Sequence, residues 1–484
     1  MGISASGVGS GIDINSIVSQ LMAVEKKPLD RLQSDQTTLQ ASISAFGKVA
    51  SGVSTFQTAV RALSTADKWQ VYQTMSSNAA SVTATASASA VEGSYSLTVS
   101  QLAAGAQLAS GAYTSDTAIV GTGTLHLSLG SIDKNTGAFT IQPGKAVVEI
   151  NVGDGSLKSI RDAINAADAG VTATIINTGG GAKLVISAKD TGDQNAIRLT
   201  ATDTDGIDTD ASGLSAIAFD PAGAVGTGKN LQSLRTAQDA QLTVNGISVT
   251  AASNNAKNIV DGITFNLNAV SATPTNLTVS RDTAVIQKSV TTLVSAYNDL
   301  QRLLQDQTRF VAGAKTQSPL QGDNAAASVL QRLRSTIFGQ FVGAAGDYSR
   351  LSDVGISIQT DGTLALSQTK WDAAAANPAK LARLFASSGT TGVANSTGFA
   401  ARLDALASQW LGTGGTITAR TDGLNKSITA NQKNQDTLQA RLAQREARLK
   451  AQYQAMDSQV AGLQSMGTYV SQQLTALQAN LNNK

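Results

Sequence analysis

One histidine, His126, and no cysteine limit the chemistry open to this 484-residue chain. Thiolate catalysis, disulfides and Cys/His zinc sites are excluded, and histidine acid–base chemistry has a single candidate. His126 falls in the alternation Leu125-His-Leu127-Ser-Leu129, on the polar face of an expected strand, and reads as a surface residue. Asp203, Asp205, Asp208 and Asp210 alternate around Gly206 and could offer oxygens to Ca²⁺, but no glutamate closes an EF-hand loop. Aspartates also bond their own backbone in tight turns, and a solvated turn is the plainer reading. Gly223-Ala-Val-Gly-Thr-Gly228-Lys229-Asn230 is one residue from a phosphate-binding loop. Asn230 stands where a hydroxyl would ligate magnesium, and Asp220-Pro221 precedes it instead of a strand. Gly7, Gly9 and Gly11 have neither the strand nor the spacing of a dinucleotide turn. Acidic residues are scattered and single out no pair for hydrolysis. The expectation is a protein that is not an enzyme and carries no cofactor or metal.

Composition narrows the partners. Charged residues make up 14% of the chain and hydrophobic ones an ordinary 42%, against about 25% charged in a typical soluble protein. Gln, Ser, Thr, Asn, Ala and Gly fill the difference. A net charge of +2 builds no field for nucleic acid or an anionic membrane. No run approaches the roughly 18 apolar residues of a membrane span. Arg441, Arg445, Arg448 and Lys450, beside Glu446, have no interleaved aromatics and read as the solvated flank of a helix. The leader MGISASGVGSGIDIN lacks the basic and apolar regions of a Sec signal. Its first six residues fit a myristoylation pattern, but they read as a flexible Gly/Ser leader.

The elements that remain are helical at both ends. Asp13 is a natural N-cap for a helix through Ile14, Ile17, Val18, Leu21 and Met22. Pro28 interrupts it, with Lys27 biased away from helix, and a second helix starts with the proline in its first turn. Leu32, Leu39, Phe46, Val53 and Val60 then recur every seventh residue, widened by Leu29, Ile43, Phe56 and Leu63. At the other end Leu442, Leu449, Met456, Leu463, Val470 and Leu477 lie seven apart without a miss, from about Gln435 to Leu481. A companion row runs through Tyr453, Val460, Leu474 and Leu481, with Glu446 and Gly467 as weak points. From Ala451 to Lys484 only Asp457 and Lys484 are charged. Such a seam lacks the charges that normally choose a partner, and single helices gain most stability from packing. Both ends are therefore expected to order only in an assembly.

Between the ends the period is two. Val82, Ala84 and Ala86 face Tyr95, Leu97 and Val99 across Glu92-Gly93 as an expected hairpin. A second is expected at Leu242 to Val249 around Asn245-Gly246. Ile263 to Leu267 and Leu277 to Val279 supply further strands. Residues 146–200 read as strand, helix (Leu157 to Ala167) and two strands, and 203–230 as loops. Helices are expected from Val285, capped by Asp282 or Thr283, after Pro319, and around Leu381 to Phe385. A hairpin is expected at Ile356 to Leu366. The fold class is α+β and multidomain: terminal α-helical coiled-coil legs, a helical bundle domain, and nested β-rich outer domains. The expected division is 1–40 with 438–484 (leg), 41–70 with 283–437 (bundle), 71–105 with 237–282 (inner β) and 106–236 (outer β).

In its motifs the chain resembles the bacterial flagellar filament-capping (FliD) family over nearly its whole length. Gly7-Val-Gly-Ser-Gly-Ile-Asp13, Ile17-Val-Ser-Gln-Leu-Met22 and Val24-Glu-Lys-Lys-Pro-Leu-Asp-Arg31 are similar to the family's opening block. Val152-Gly-Asp-Gly-Ser-Leu157, Ala163-Ile-Asn165, Gly170-Val-Thr-Ala173, Gly181 to Ile186 and Asn195-Ala-Ile197 resemble an insertion shared with flagellins. Pro319-Leu-Gln-Gly-Asp323, Val354-Gly-Ile-Ser357, Asp361-Gly-Thr-Leu364, Leu384-Phe385 and Gln452-Tyr-Gln-Ala-Met-Asp457 are similar to the closing block. Ser367 and Trp371 depart from it, standing where an acidic residue and a leucine are expected.

The resemblance implies a structural cap at the distal filament tip: a homo-oligomeric ring, most often five-membered, that promotes flagellin folding and insertion and prevents loss of subunits. It implies as partners flagellin, hook–filament junction proteins and an export chaperone on the C-terminal helix, with secretion by the flagellar type III apparatus. A surface adhesin that binds mucin or glycans through the outer β domains is the alternative. The expected contacts with sister copies or flagellin are Ile14, Ile17, Leu21, Leu32, Leu39, Phe46, Leu442, Leu449, Met456, Leu463, Val470, Leu474 and Leu477.

Overall fold

Helix α1 (Ile14–Glu25) begins where Asp13 accepts a hydrogen bond from the Ser16 amide at 3.0 Å. The computed structural model describes residues 13–314 and 316–482, with side chains through residue 478. The myristoylation pattern and the Gly7–Gly11 turn lie outside the described residues. Helix α2 (Lys27–Arg61) follows with Pro28 in its first turn. The expected break is slighter than the proline suggested, because Lys27 is helical and Lys26 keeps φ −77°, ψ −17°. The Leu29 and Asp30 amides still reach the Lys26 carbonyl, so the chain turns the corner with little loss of bonding.

Two compact units divide the chain: Gln70–Ile286, and the flanking segments through Trp69 and from Gln287 onward. The inserted unit holds two apolar cores. One lies between two antiparallel sheets. The five-stranded sheet runs Tyr72–Ser76, Thr275–Arg281, Gly93–Gln101, Ala240–Val244, Ile247–Ala251, and the three-stranded sheet runs Asn255–Val260, Ile263–Leu267, Val82–Ala86. Leu97, Val99, Leu242, Phe265 and Leu277 fill the space between them. The Asn245-Gly246 hairpin forms as expected, with φ +50° and +83° at the two turn residues.

The hairpin expected across Glu92-Gly93 does not form. Val82–Ala86 pairs with Ile263–Leu267, whereas Gly93–Gln101 pairs with strands 240–244 and 275–281. The connection folds against Gly262, where an added Cβ would lie 2.4 Å from the Ala90 nitrogen. Alternating apolar residues identify a buried face without naming the strand beside it.

The second core combines a sheet around strand Gly123–Ile132, a four-stranded sheet including Val171–Thr178 and Gly181–Ala188, and helix α3 (Leu157–Ala166). The loops expected over 203–230 are a correction: Phe219–Val225 and Thr227–Lys229 are strands. Leu214, Ile217 and Phe219 are buried there among Gly and Asp residues, and burial of those three overrides the loop-like composition.

Helix α4 (Thr283–Thr308), most of which belongs to the flanking unit, starts after Asp282, whose carboxylate accepts from the Val285 amide. Helices α5 (Asn324–Phe338), α6 (Gln368–Ala375), α7 (Pro378–Ala386) and α8 (Phe399–Leu411) follow, with the expected hairpin at Ile356–Leu366. Trp371 of α6, where the resemblance calls for leucine, is 1% exposed. Trp69 stacks on Phe385 at 4.9 Å and its indole donates to the Leu63 carbonyl. Finally α9 (Thr416–Asn482) is one helix of 67 residues, about 100 Å at 1.5 Å per residue. It starts about twenty residues before the expected Gln435, because Asn431 and Gln435 occupy core positions that hide the repeat.

Candidate interaction surface

None of the three candidate chemical sites is arranged for catalysis. His126 is half-buried on its strand, with Nε2 3.0 Å from Thr202 Oγ1 and Nδ1 3.9 Å from Glu149. The aspartates of the 203–210 loop turn inward to their own chain. Asp203 accepts from the Ser215 amide at 2.8 Å, Asp208 from the Asp203 amide at 2.8 Å, and Asp205 from the Ile207 amide at 2.9 Å. Hydrogen bonds from Ser212 and Ser215 hold the Asp210 carboxyl below its usual range. These contacts are those of a self-bonded turn. In the glycine-rich segment Lys229 donates to the Pro221 carbonyl at 3.2 Å, and Asn230 ties down the Ser215 carbonyl at 2.7 Å. The segment is two strands about Gly226, with no helix after it to bind phosphate.

The insertion motif is likewise structural. Asp154 accepts from the amide and hydroxyl of Ser156, and Ser156 caps α3. The Asn165 amide group bonds both backbone groups of Ala173 at 2.8 Å. Each holds a corner between α3 and a neighbouring strand.

What remains is the helical surface. Ile14, Val18 and Met22 of α1 bury themselves against Leu442 of α9, with Leu29, Leu438, Leu449 and Tyr453 around them. Arg445 reaches Glu25 at 3.4 Å, and Lys450 binds Glu446 at 2.7 Å, which lowers the Glu446 pKa. Further along, Asn431 and Gln435 form a buried polar layer against α2, with Gln435 donating to Asn431 at 2.6 Å and to Gln36 at 2.5 Å. The charged flank of α9 thus carries intrachain ion pairs.

The expected contact residues fall into distinct environments. Phe46 is wholly buried, and Ile14 and Leu442 are 2% and 7% exposed, all three occupied within the chain. Ile17, Leu32, Leu39 and Leu449 are half-buried. Leu21 and Met456 are exposed, and Leu463, Val470, Leu474 and Leu477 are exposed by half or more. Two residues absent from that set, Met466 and Tyr469, are 62% and 61% exposed on the same stretch. Their signal was available: they flank Leu463 and Val470 at helical spacing, outside the strict seven-residue row. The result is an apolar stripe along a helix with no neighbour among the described residues from Gly462 to Gln478.

Exposed apolar patches commonly mark surfaces that meet a partner. The sequence comparisons say in what kind of protein. Residues 10–106 match the family model for the flagellar hook-associated protein 2 N-terminus, and residues 237–465 that for its C-terminus. The flagellar hook-associated protein 2 of Escherichia coli strain K12 is 32% identical over 485 residues, covering 97% of this chain and 98% of that one. The chain belongs to the flagellar hook-associated protein 2 family. The B-type flagellar hook-associated protein 2 of Pseudomonas aeruginosa PAO1 is 31% identical, covering 98% and 97% of the two chains. A crystal structure of the D1-D2-D3 domains of the flagellar cap protein FliD from Escherichia coli matches with TM-score 0.65 at 30% identity, over 79% of this chain and 99% of that one. As a member of the flagellar hook-associated protein 2 family the chain is a structural flagellar cap protein, not an enzyme. The adhesin alternative finds no support among these relatives.

Proposed function

We propose that this cap protein works as a homo-oligomeric ring at the filament tip, with α1 and the distal part of α9 as legs. The observation that carries the reading is the exposed stripe through Leu463, Val470, Leu474 and Leu477. Its polar flank is uncharged from Ser458 to Asn483. A cap on a helical filament meets a different arrangement of subunits at each insertion. Legs whose distal flank is apolar and uncharged can adopt several near-equal packings, so each arriving flagellin would drive the ring one step onward. The division into leg, bundle, inner β and outer β regions belongs to the same proposal. It is supported by the separate apolar clusters of α1 with α9 and of the inserted unit. Five copies, flagellin and junction proteins as neighbours, an export chaperone on the C-terminal helix and type III secretion complete it.

The test is to place glutamate at Leu463 and at Val470. Both side chains are exposed, so the melting of the two units should stay unchanged while swimming and filament growth are lost. Motile cells carrying both substitutions would overturn the leg reading. End-on particle images count the copies.

A further inference from the structure

Charge is unevenly shared along the chain. The inserted unit, Gln70–Ile286, holds 17 Asp and Glu against 11 Lys and Arg, whereas the remainder holds 25 Lys and Arg against 17 Asp and Glu. Each excess has one uninterrupted stretch. From Asn324 to Gly346 the only charged residues are Arg332 and Arg334, and from Leu199 to Gly228 the only ones are five aspartates.

Arg334 of α5 lines a cleft of about 400 Å³ with Tyr297, Phe338, Ile358 and the turn Thr360–Gly362. That volume lies within the roughly 300–1,000 Å³ of ordinary ligand sites. The guanidinium is held in place. Buried Gln301 accepts from Arg334 Nε at 3.2 Å and donates to the Asp361 carbonyl at 3.4 Å, and the Tyr297 hydroxyl donates to the Gly362 carbonyl at 3.3 Å. A Cβ at Gly362 would lie 2.9 Å from Arg334 Nη2, so the glycine lets the turn come this close. Asp361 accepts from the amide and hydroxyl of Thr363, and no carboxylate among the described residues forms an ion pair with Arg334. Phe338, 64% exposed, supplies an open apolar wall. A fixed guanidinium beside such a wall suits a carboxylate that has an apolar side chain next to it.

The aspartate stretch carries that chemistry at its tip. Ile207 is 54% exposed between exposed Asp205 and Asp208. No heavy atom lies within 4 Å of where a Cβ on Gly206 would stand, so the tip is clear of its own chain. Asp205 accepts from the Ile207 amide and Asp208 from the Asp203 amide, which leaves little conformational freedom to lose on binding. A carboxylate has about four lone-pair sites, so Asp208 can still take a guanidinium.

We propose that the tip Asp205–Asp208 of one copy docks in the Arg334 cleft of the next, with Ile207 on Phe338 and Ile358 and Asp208 on the guanidinium. The complementary charges sit on one sequence, so every sister copy brings both halves. Because the two halves differ, the contact is head-to-tail, the kind that closes into a ring without pairing copies two by two. This inference rests on the ring reading and adds an interface to it.

The natural absence of cysteine makes the test direct. Full-length Ile207→Cys and size-tagged full-length Thr360→Cys are mixed, assembled and oxidised. Each chain has a single thiol, so a mixed disulfide joins two copies. Its yield should exceed about tenfold that of Ile247→Cys with Thr360→Cys, through high local concentration at the docked tip; Ile247 is 68% exposed on the same unit as Ile207. Equal yields, or no mixed product, overturn the docking. Adding Asp208→Arg to the Ile207→Cys chain should lower the yield at least fivefold, and Arg334→Glu on the other chain should restore it. An unchanged yield with Asp208→Arg, an exposed site that decides even if Arg334→Glu fails to fold, also overturns the proposal. Rings in particle images without the mixed disulfide remove this interface and leave the ring reading. Wild-type protein that forms no rings removes both.

Discussion

At the residue scale, stability in this sparsely charged chain leans on single polar side chains in specific places. Asn165 fills both outward backbone groups of Ala173, bonding the carbonyl and the amide at 2.8 Å each. Asn165→Ala strands both and should lower the stability of the inserted unit by about 1–3 kcal/mol, read by urea unfolding. Asp347 works through charge. Its carboxylate takes two bonds from Arg383, at 2.8 and 2.6 Å, and one from the Ala344 amide. The hydrogen bonds from Arg383 hold its pKa below the ordinary value, opposed by partial burial. A carboxyl group lowered in the folded state stabilises fully above its unfolded pKa of about 3.9 and loses that contribution as pH falls through the folded value. Asp347→Asn should therefore melt below the wild type at neutral pH, with the gap closing in the acid range beneath about pH 4. A gap that widens on acidification would contradict this sign.

At the element scale, α9 sets polar groups where its repeat calls for apolar ones. Gln435 and Asn431 are each 8% exposed and bond one another and Gln36. Buried polar layers often cost stability while fixing one register between helices. Replacing Asn431 and Gln435 together by leucine is expected to raise the melting temperature of the flanking unit by several degrees, for roughly 1–3 kcal/mol. The same change should reduce the specificity of the α2–α9 register, seen as loss of single-peak NMR signals along α2. A fall in melting temperature would make the layer a net stabiliser. The same pair of residues explains why the start of α9 escaped the sequence reading: heptad scanning sees Leu and Val, not hydrogen-bonded amides.

At the scale of the whole molecule, the distal third of α9 is a large apolar surface that serves no fold of its own. From Gly462 to Gln478 every side chain is exposed, and exposed positions contribute within about 0.5 kcal/mol each. A chain ending at Ala461 should keep the melting temperatures of both units within about 2 °C yet fail to form rings in particle images. Rings that persist would move the assembly surface elsewhere. Two compact units, one inserted in the other, give a natural reason: each carries its own core and neither draws on that helix end.

Periodicity, caps and turn chemistry were local properties, and the chain alone determined them. The seam of α9, the Asp13 and Asp282 caps, the Asn245-Gly246 hairpin and the exclusion of thiol and zinc chemistry were all legible, since each depends on neighbours within a few residues. Strand partnership was not. Val82–Ala86 chose Ile263–Leu267 over the strand that follows it, because alternation marks which face is buried and leaves the competition among distant strands to packing. Nor could spacing tell that Phe46 is sealed inside the chain while Leu463 is open. Both sit on a seven-residue row, and only the tertiary structure packed neighbours over one and left the other open to solvent.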